Sequence, residues 1–99
     1  MQVIAEVSVV PIGVGVSLSR YVAAAITELE SAGFHCHVQA YGTVIEGEYD
    51  TVFAAVRRAV EKVQELGVPR VHCSVKFGCR TDKDQSVADR LASIEAQRP

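Results

Sequence analysis

The sequence predicts an α+β domain in which two helices cover one face of a four-stranded antiparallel sheet, with a short helix added at the C-terminal end. Three observations carry this. Apolar and polar residues alternate at period two in "QVIAEVSVV" (residues 2–10) and again in "RVHCSVKFG" (residues 70–78). Two stretches between them follow helical spacing. The resulting order is strand, helix, strand, strand, helix, strand.

In the first run Val3, Ala5, Val7 and Val9 alternate with Gln2, Ile4, Glu6 and Ser8, as in a strand with one buried face, and Pro11 is expected to stop it. After the glycine-containing loop, Ser17 or Ser19 can cap a helix whose apolar positions Tyr21, Val22, Ala25, Ile26, Leu29 and Ala32 continue until Gly33. "FHCHVQAYGTVIEGE" (residues 34–48) alternates Cys36, Val38 and Ala40 with His35, His37, Gln39 and Tyr41. It reads as a hairpin, or as a strand bent by a bulge, at Gly42. A second helix can be capped by Asp50, carries Phe53, Val56, Val60 and Val63 on one face, and is closed by Gly67 and Pro69. The last strand turns Val71, Cys73, Val75 and Phe77 to one side, and Val87, Leu91 and Ile94 mark a tail helix. This is the split order of a ferredoxin-like βαββαβ sandwich, a single domain over residues 1–99.

A chain of 99 residues with 48% hydrophobic content supports one modest core, at a size where oligomerisation becomes a useful source of buried surface. Its 10 basic and 12 acidic residues are intermixed, so no basic stripe suited to a phosphate backbone exists and nucleic acid is not an expected partner. A charged leader followed by an apolar core is missing, as is any run of the ~18 apolar residues a membrane span needs, and a cytoplasmic location is expected. Cys36, Cys73 and Cys79 fit no C-x-x-C pattern and read as reduced thiols, the first two facing the core as small hydrophobes.

The uncovered sheet face is expected to carry Glu6, Ser8, His35, His37, Gln39, Tyr41, Thr43, His72, Ser74 and Lys76, with Ile4 among them. Such a face is a solvated surface, a polar subunit interface or a ligand surface. In the loop, Gly13 and Gly15 are followed by Leu18 where a dinucleotide fingerprint needs a third glycine, and the Walker G-K-[ST] is missing. The loop therefore either presents hydroxyls and amides to a small polar ligand or simply connects a strand to a serine-capped helix. Arg20 beside it either reaches a phosphate or is a solvated helix residue. In the usual strand order 4-1-3-2, the strands bearing His35 and His37 and bearing His72 lie on opposite edges, about 14 Å apart, so no shared metal ion is expected. Glu6 needs a cationic neighbour, for which Lys76 is nearest, and Glu46 and Glu48 precede the second helix where they favour its dipole. No carboxylate has a placed nucleophile or base beside it.

"AEVSVVPIGVGVSLSRYVAA", "YGTVIEGE" and "RVHCSVKFGCRTDK" resemble, in order and spacing, the YkoF-like thiamine-binding family of small ferredoxin-like proteins. The most specific parts are Glu6, Ser8, Pro11, Gly13, Gly15 and Ser17; then Gly42, Thr43, Glu46 and Gly47; then Arg70, Val71, Lys76 and Arg80. The resemblance implies a non-catalytic binder of thiamine or of its hydroxymethylpyrimidine part, assembled as a homotetramer of paired dimers. Ser8, Ser17, Tyr41, Thr43 and Glu46 would supply ligand contacts, with Glu6 buried nearby. The glycines fit better as backbone devices, and the His35-x-His37 pair lies outside the family pattern. Two other classes stay open: a cofactor-free enzyme of the dimeric α+β type using His35, His37 or His72 as base, and a regulatory or assembly module joined through its polar sheet face.

Overall fold

The computed structural model describes residues Met1–Pro99. Its elements are β1 (Gln2–Ile12), α1 (Ser19–Ser31), β2 (His37–Gln39), β3 (Gly42–Glu48), α2 (Tyr49–Glu65), β4 (Arg70–Gly78) and α3 (Val87–Gln97). All strand pairings are antiparallel and the sheet order is β2-β3-β1-β4, the ferredoxin-like arrangement that the two periodicities predict.

Alternation along β1 puts Val3, Ala5, Val7 and Val9 beneath α1 and α2, where they meet Leu29 of the first helix and Val52 and Val63 of the second. Leu29, Ile45, Val3, Val52 and Val63 are the largest fully buried side chains. Each contributes about 1.5–3 kcal/mol through the apolar surface it removes from water. Tyr49 and Phe53 of α2 join Phe77 of β4 in an aromatic cluster with centroids 5.1–5.4 Å apart.

Helix ends follow the sequence at one terminus and not at the other. Gly33 and Gly67 take positive φ (97° and 85°) just past α1 and α2, a conformation glycine adopts without a Cβ penalty. At the start of α1, neither Ser17 nor Ser19 acts as a cap: Leu18 occupies that position without a side-chain hydrogen bond. Asp50 likewise sits inside the first turn of α2, behind Glu48. The one complete capping box belongs to α3, where Ser86 accepts from the Asp89 amide and Asp89 accepts from the Ser86 amide.

Pro11 does not end β1. The strand continues to Ile12, because beyond Val7 it has a neighbour on one side only, an edge position of the kind proline tolerates. Residues 34–48 form a true hairpin whose turn is Ala40–Tyr41, with Gln39 paired to Gly42 and Val38 to Thr43. This register sets the parity of β3. Thr43 lies opposite Val7 on the helix side and is buried, so it does not share the uncovered face with Glu6 as the sequence suggested. His35 precedes β2 rather than belonging to it.

Candidate functional site

The two neighbours of β1 differ in reach. Pairing with β3 stops at Val7↔Thr43, whereas pairing with β4 runs on to Ile12↔Arg70. From Ser8 onward β1 therefore shows one free backbone edge, and the N-terminal half of α1 and the β2–β3 turn close around it. The result is a pocket of about 540 Å³.

Its walls are Val7, Val9 and Val10 from β1, Leu18, Val22 and Ile26 from α1, and Ala40 with Tyr41 from the turn. Ser8, Ser19, Gln39 and Thr43 are its polar residues, Ser8 bordering it at the free strand edge with the side-chain parity of Glu6, and no charged residue lines the pocket. Thr43 is the one polar side chain in the core, 5% exposed. No side-chain polar atom in the fold is sealed without a partner, so the Thr43 hydroxyl, which bonds to no other group of the chain, meets the pocket. Leu18 provides no side-chain acceptor at the start of α1, which leaves first-turn amides free beside Ser19 at the mouth. Tyr41, 94% exposed, forms the rim.

The six polar residues expected to bind ligand divide into two groups. Ser8, Tyr41 and Thr43 line this pocket, and Ser17 is exposed in the adjoining loop without reaching the lining. Glu6 and Glu46 stand on the other face of the sheet. Glu6 is 3.7 Å from Lys76, the partner its position on β1 suggests, and packs so near Gly42 that a Cβ there would meet Glu6 Cγ at 2.9 Å. Glu46 accepts a hydrogen bond from the Val87 amide. Val22, Ile26 and Gln39 also line the pocket, although no motif in the sequence marks them as site residues. The i, i+4 spacing of Val22 and Ile26 is a core signature, and only the missing stretch of β3 exposes their side of α1.

Arg20 places its guanidinium carbon 4.9 Å from the Tyr21 ring centroid and contributes nothing to the pocket. The histidines are separated as the strand order requires. The rings of His35 and His37 lie 4.6 Å apart beside one edge, while His72 on the opposite edge strand is 3.3 Å from the Ser74 hydroxyl. None of the three lines the pocket, and nowhere do three or more metal-ligating side chains converge. All three cysteines are free, and burial pushes the Cys36 and Cys73 thiols above their usual pKa.

The family model described as thiamine-binding protein matches residues 5–95 of the chain. A UPF0045 protein of Synechocystis is 48% identical over 95 residues, which span 96% of this chain and 78% of that one. A UPF0045 protein of Methanocaldococcus jannaschii is 37% identical over 93 residues, 94% of this chain and 92% of its own. The crystal structure of a hypothetical protein from that archaeon superposes with a TM-score of 0.89 at 36% identity, covering 95% of this chain and 96% of the other. A Thermotoga maritima structure described in terms of thiamine biosynthesis and salvage gives a TM-score of 0.82 over 95% of this chain and 99% of its own. At 17% identity that likeness speaks for the fold alone.

Proposed function

The chain belongs to the thiamine-binding protein family, and from that premise we propose that the hairpin pocket binds thiamine through its neutral hydroxymethylpyrimidine end, without turnover. The observation that carries this reading is an uncharged, mainly apolar pocket built along a free strand edge. An aminopyrimidine is flat, with apolar faces and a rim of ring nitrogens and an amine. Valine and isoleucine walls suit the faces. The backbone N–H and C=O groups beyond Val7, together with the Thr43 hydroxyl, suit the rim in the way an added strand satisfies a sheet edge.

Size and charge agree with this orientation. A volume of about 540 Å³ falls within the range of roughly 300–1,000 Å³ usual for small-molecule sites. Glu6 and Glu46 lie across the sheet, so the pocket interior offers no counter-charge to a thiazolium. The cationic ring would stay at the mouth, beside the Tyr41 ring face. Binding rather than catalysis is the better reading, because general acid–base chemistry needs a titratable group at the reacting atom and the lining carries only the Tyr41 phenol at its rim. Self-association as a homotetramer of paired dimers goes with the same proposal. Val38 on the edge strand β2 and Leu91 and Ile94 of α3 are exposed apolar surface that subunit contacts would cover.

The test is calorimetric titration with thiamine, thiamine phosphate and hydroxymethylpyrimidine, run beside light scattering. Thiamine and the free pyrimidine should bind with similar affinity. Thr43→Val should weaken both about tenfold, the cost of one hydrogen bond. Val22→Trp, at a half-open position, should block them. A folded protein that gives no heat with any of the three, or variants that leave affinity unchanged, would remove this function and favour an assembly module.

A further inference from the structure

On the side of the sheet away from α1 and α2, a cleft of about 900 Å³ runs between the strands and α3. Ile4, Glu6 and Val44 lie along its sheet side, and Lys76 and Arg80 come from β4 and the residues just after it. Arg90 comes from α3. It shares no lining residue with the hairpin pocket. Three cations face one carboxylate here, in a chain that is acidic overall with a net charge of −2.

The three cations are differently engaged. Arg80 is closed by Asp82, its Nε donating to Oδ1 at 2.8 Å and a second nitrogen donating to Oδ2. Lys76 Nζ stands 3.7 Å from Glu6 Oε1, beyond ordinary hydrogen-bond length, with its side chain 85% exposed. Arg90 takes part in none of the ion pairs of the chain. Glu46, paired across the strands with Ile4 of this cleft, is spent on the Val87 amide. One guanidinium fork and most of one ammonium are thus left facing the same space from two different elements. α3 itself buries no residue, so its hold on the sheet is slight.

We propose that this cleft is a second binding site, for a compact oxyanion of the phosphate-ester type gripped between Lys76 on the sheet and Arg90 on α3. A phosphate group accepts a bidentate fork from an arginine and a point contact from a lysine at once. Bridging the two would also fasten α3 to the sheet, which few of its own contacts do. The site stands apart from the proposed thiamine function, and the two can fail separately.

The probes are inorganic pyrophosphate, glycerol phosphate and citrate, followed by calorimetry and by backbone amide NMR. Pyrophosphate and glycerol phosphate should shift amides at Gly78, Arg90 and Ser93. Arg90→Gln and Lys76→Gln should each weaken them about tenfold, as expected for charge-assisted contacts. Glu6→Gln, which frees Lys76, should tighten them several-fold, while Arg57→Gln on the far surface and Val22→Trp in the hairpin pocket should change nothing. No shift at millimolar anion, binding that survives both Arg90→Gln and Lys76→Gln, or citrate binding more tightly than either phosphate would overturn the proposal. Anion binding by the natural chain with no binding of thiamine or hydroxymethylpyrimidine to it would count against the thiamine reading alone.

Discussion

Glu46 of β3 accepts a hydrogen bond at 2.5 Å from the backbone amide of Val87, 41 residues further on at the first turn of α3. A carboxylate placed there satisfies one of the amides that a helix start leaves unpaired and meets the positive end of its dipole. α3 buries none of its residues, and this contact is the one side-chain hydrogen bond that ties it to the sheet, while the Ser86–Asp89 box holds only its own first turn.

Glu46→Ala should therefore loosen α3 without unfolding the domain. Hydrogen exchange should speed up across Val87–Gln97 while amides of β1 and α2 keep their protection. Global stability should fall by no more than about 1 kcal/mol, since one exposed helix is lost from the contacts and no core side chain is touched. A cooperative loss of protection through the whole sheet would show that α3 is integral to the core.

The same helix should respond to acid. Hydrogen bonds from the Ser86 backbone amide and side-chain contact with Ser86 hold the Asp89 carboxyl below its ordinary value. A depressed folded-state pKa stabilises the helix at pH above the ordinary aspartate value, and that contribution disappears as pH falls through the folded one. NMR amide shifts of residues 86–90 should move in this acid window in the natural chain and stay flat with Asp89→Asn.

Two glycines of β3 should differ in tolerance. A Cβ on Gly47 would stand 2.9 Å from Phe34 Cε1 and 3.6 Å from Val52 Cγ2, a ring and a core valine with little room to yield. On Gly42 the near atoms belong to Glu6, whose side chain is 43% exposed and can turn away. Urea unfolding should show Gly47→Ala losing about 1–3 kcal/mol through overpacking. Gly42→Ala should lose less, and its cost should shrink further in a Glu6→Ala background.

Thiol chemistry should separate the three cysteines. Cys79 is exposed, whereas Cys36 and Cys73 are partly buried with thiols shifted upward by desolvation, which lowers the thiolate fraction that reacts. Titration of native protein with Ellman's reagent near neutral pH should show one fast thiol and two slow ones. Cys79→Ser should remove the fast phase.

Truncating the core gives the size of the interactions that hold the sandwich. Leu29 and Ile45 are 1% and 0% exposed on opposite layers. Leu29→Ala and Ile45→Ala should each cost about 2–5 kcal/mol by chemical denaturation, because the cavity left behind adds to the lost transfer energy.

Much of the fold was legible because its signals are local. Period two along residues 2–10 and 70–78 names the faces of β1 and β4 directly, and the spacing of Phe53, Val56, Val60 and Val63 does the same for α2. Gly33 and Gly67 mark helix ends through a backbone angle that glycine alone takes readily. The helix starts were harder to read, since Leu18 and Glu48 take the capping positions where Ser19 and Asp50 carry the better side chains. Simple alternation puts Thr43 on the wrong face because a two-residue turn at Ala40–Tyr41 resets strand parity, and a shift of one residue exchanges the faces.

By itself the sequence determined the ferredoxin-like order of elements, the apolar set beneath α1 and α2, and the kinship with thiamine-binding proteins, all of which rest on residue type at fixed spacing along the chain. Which polar residues share a cavity was decided only in three dimensions. Thr43 and Tyr41 meet at the edge where Ser8 borders the gap, because the pairing of β3 with β1 stops at Val7 while β4 follows β1 to Ile12, and Glu6 and Glu46 are excluded because the sheet stands between them and that gap. Strand lengths on either side of a common neighbour, and the face a residue takes after a turn, are relations between distant segments that no local periodicity records.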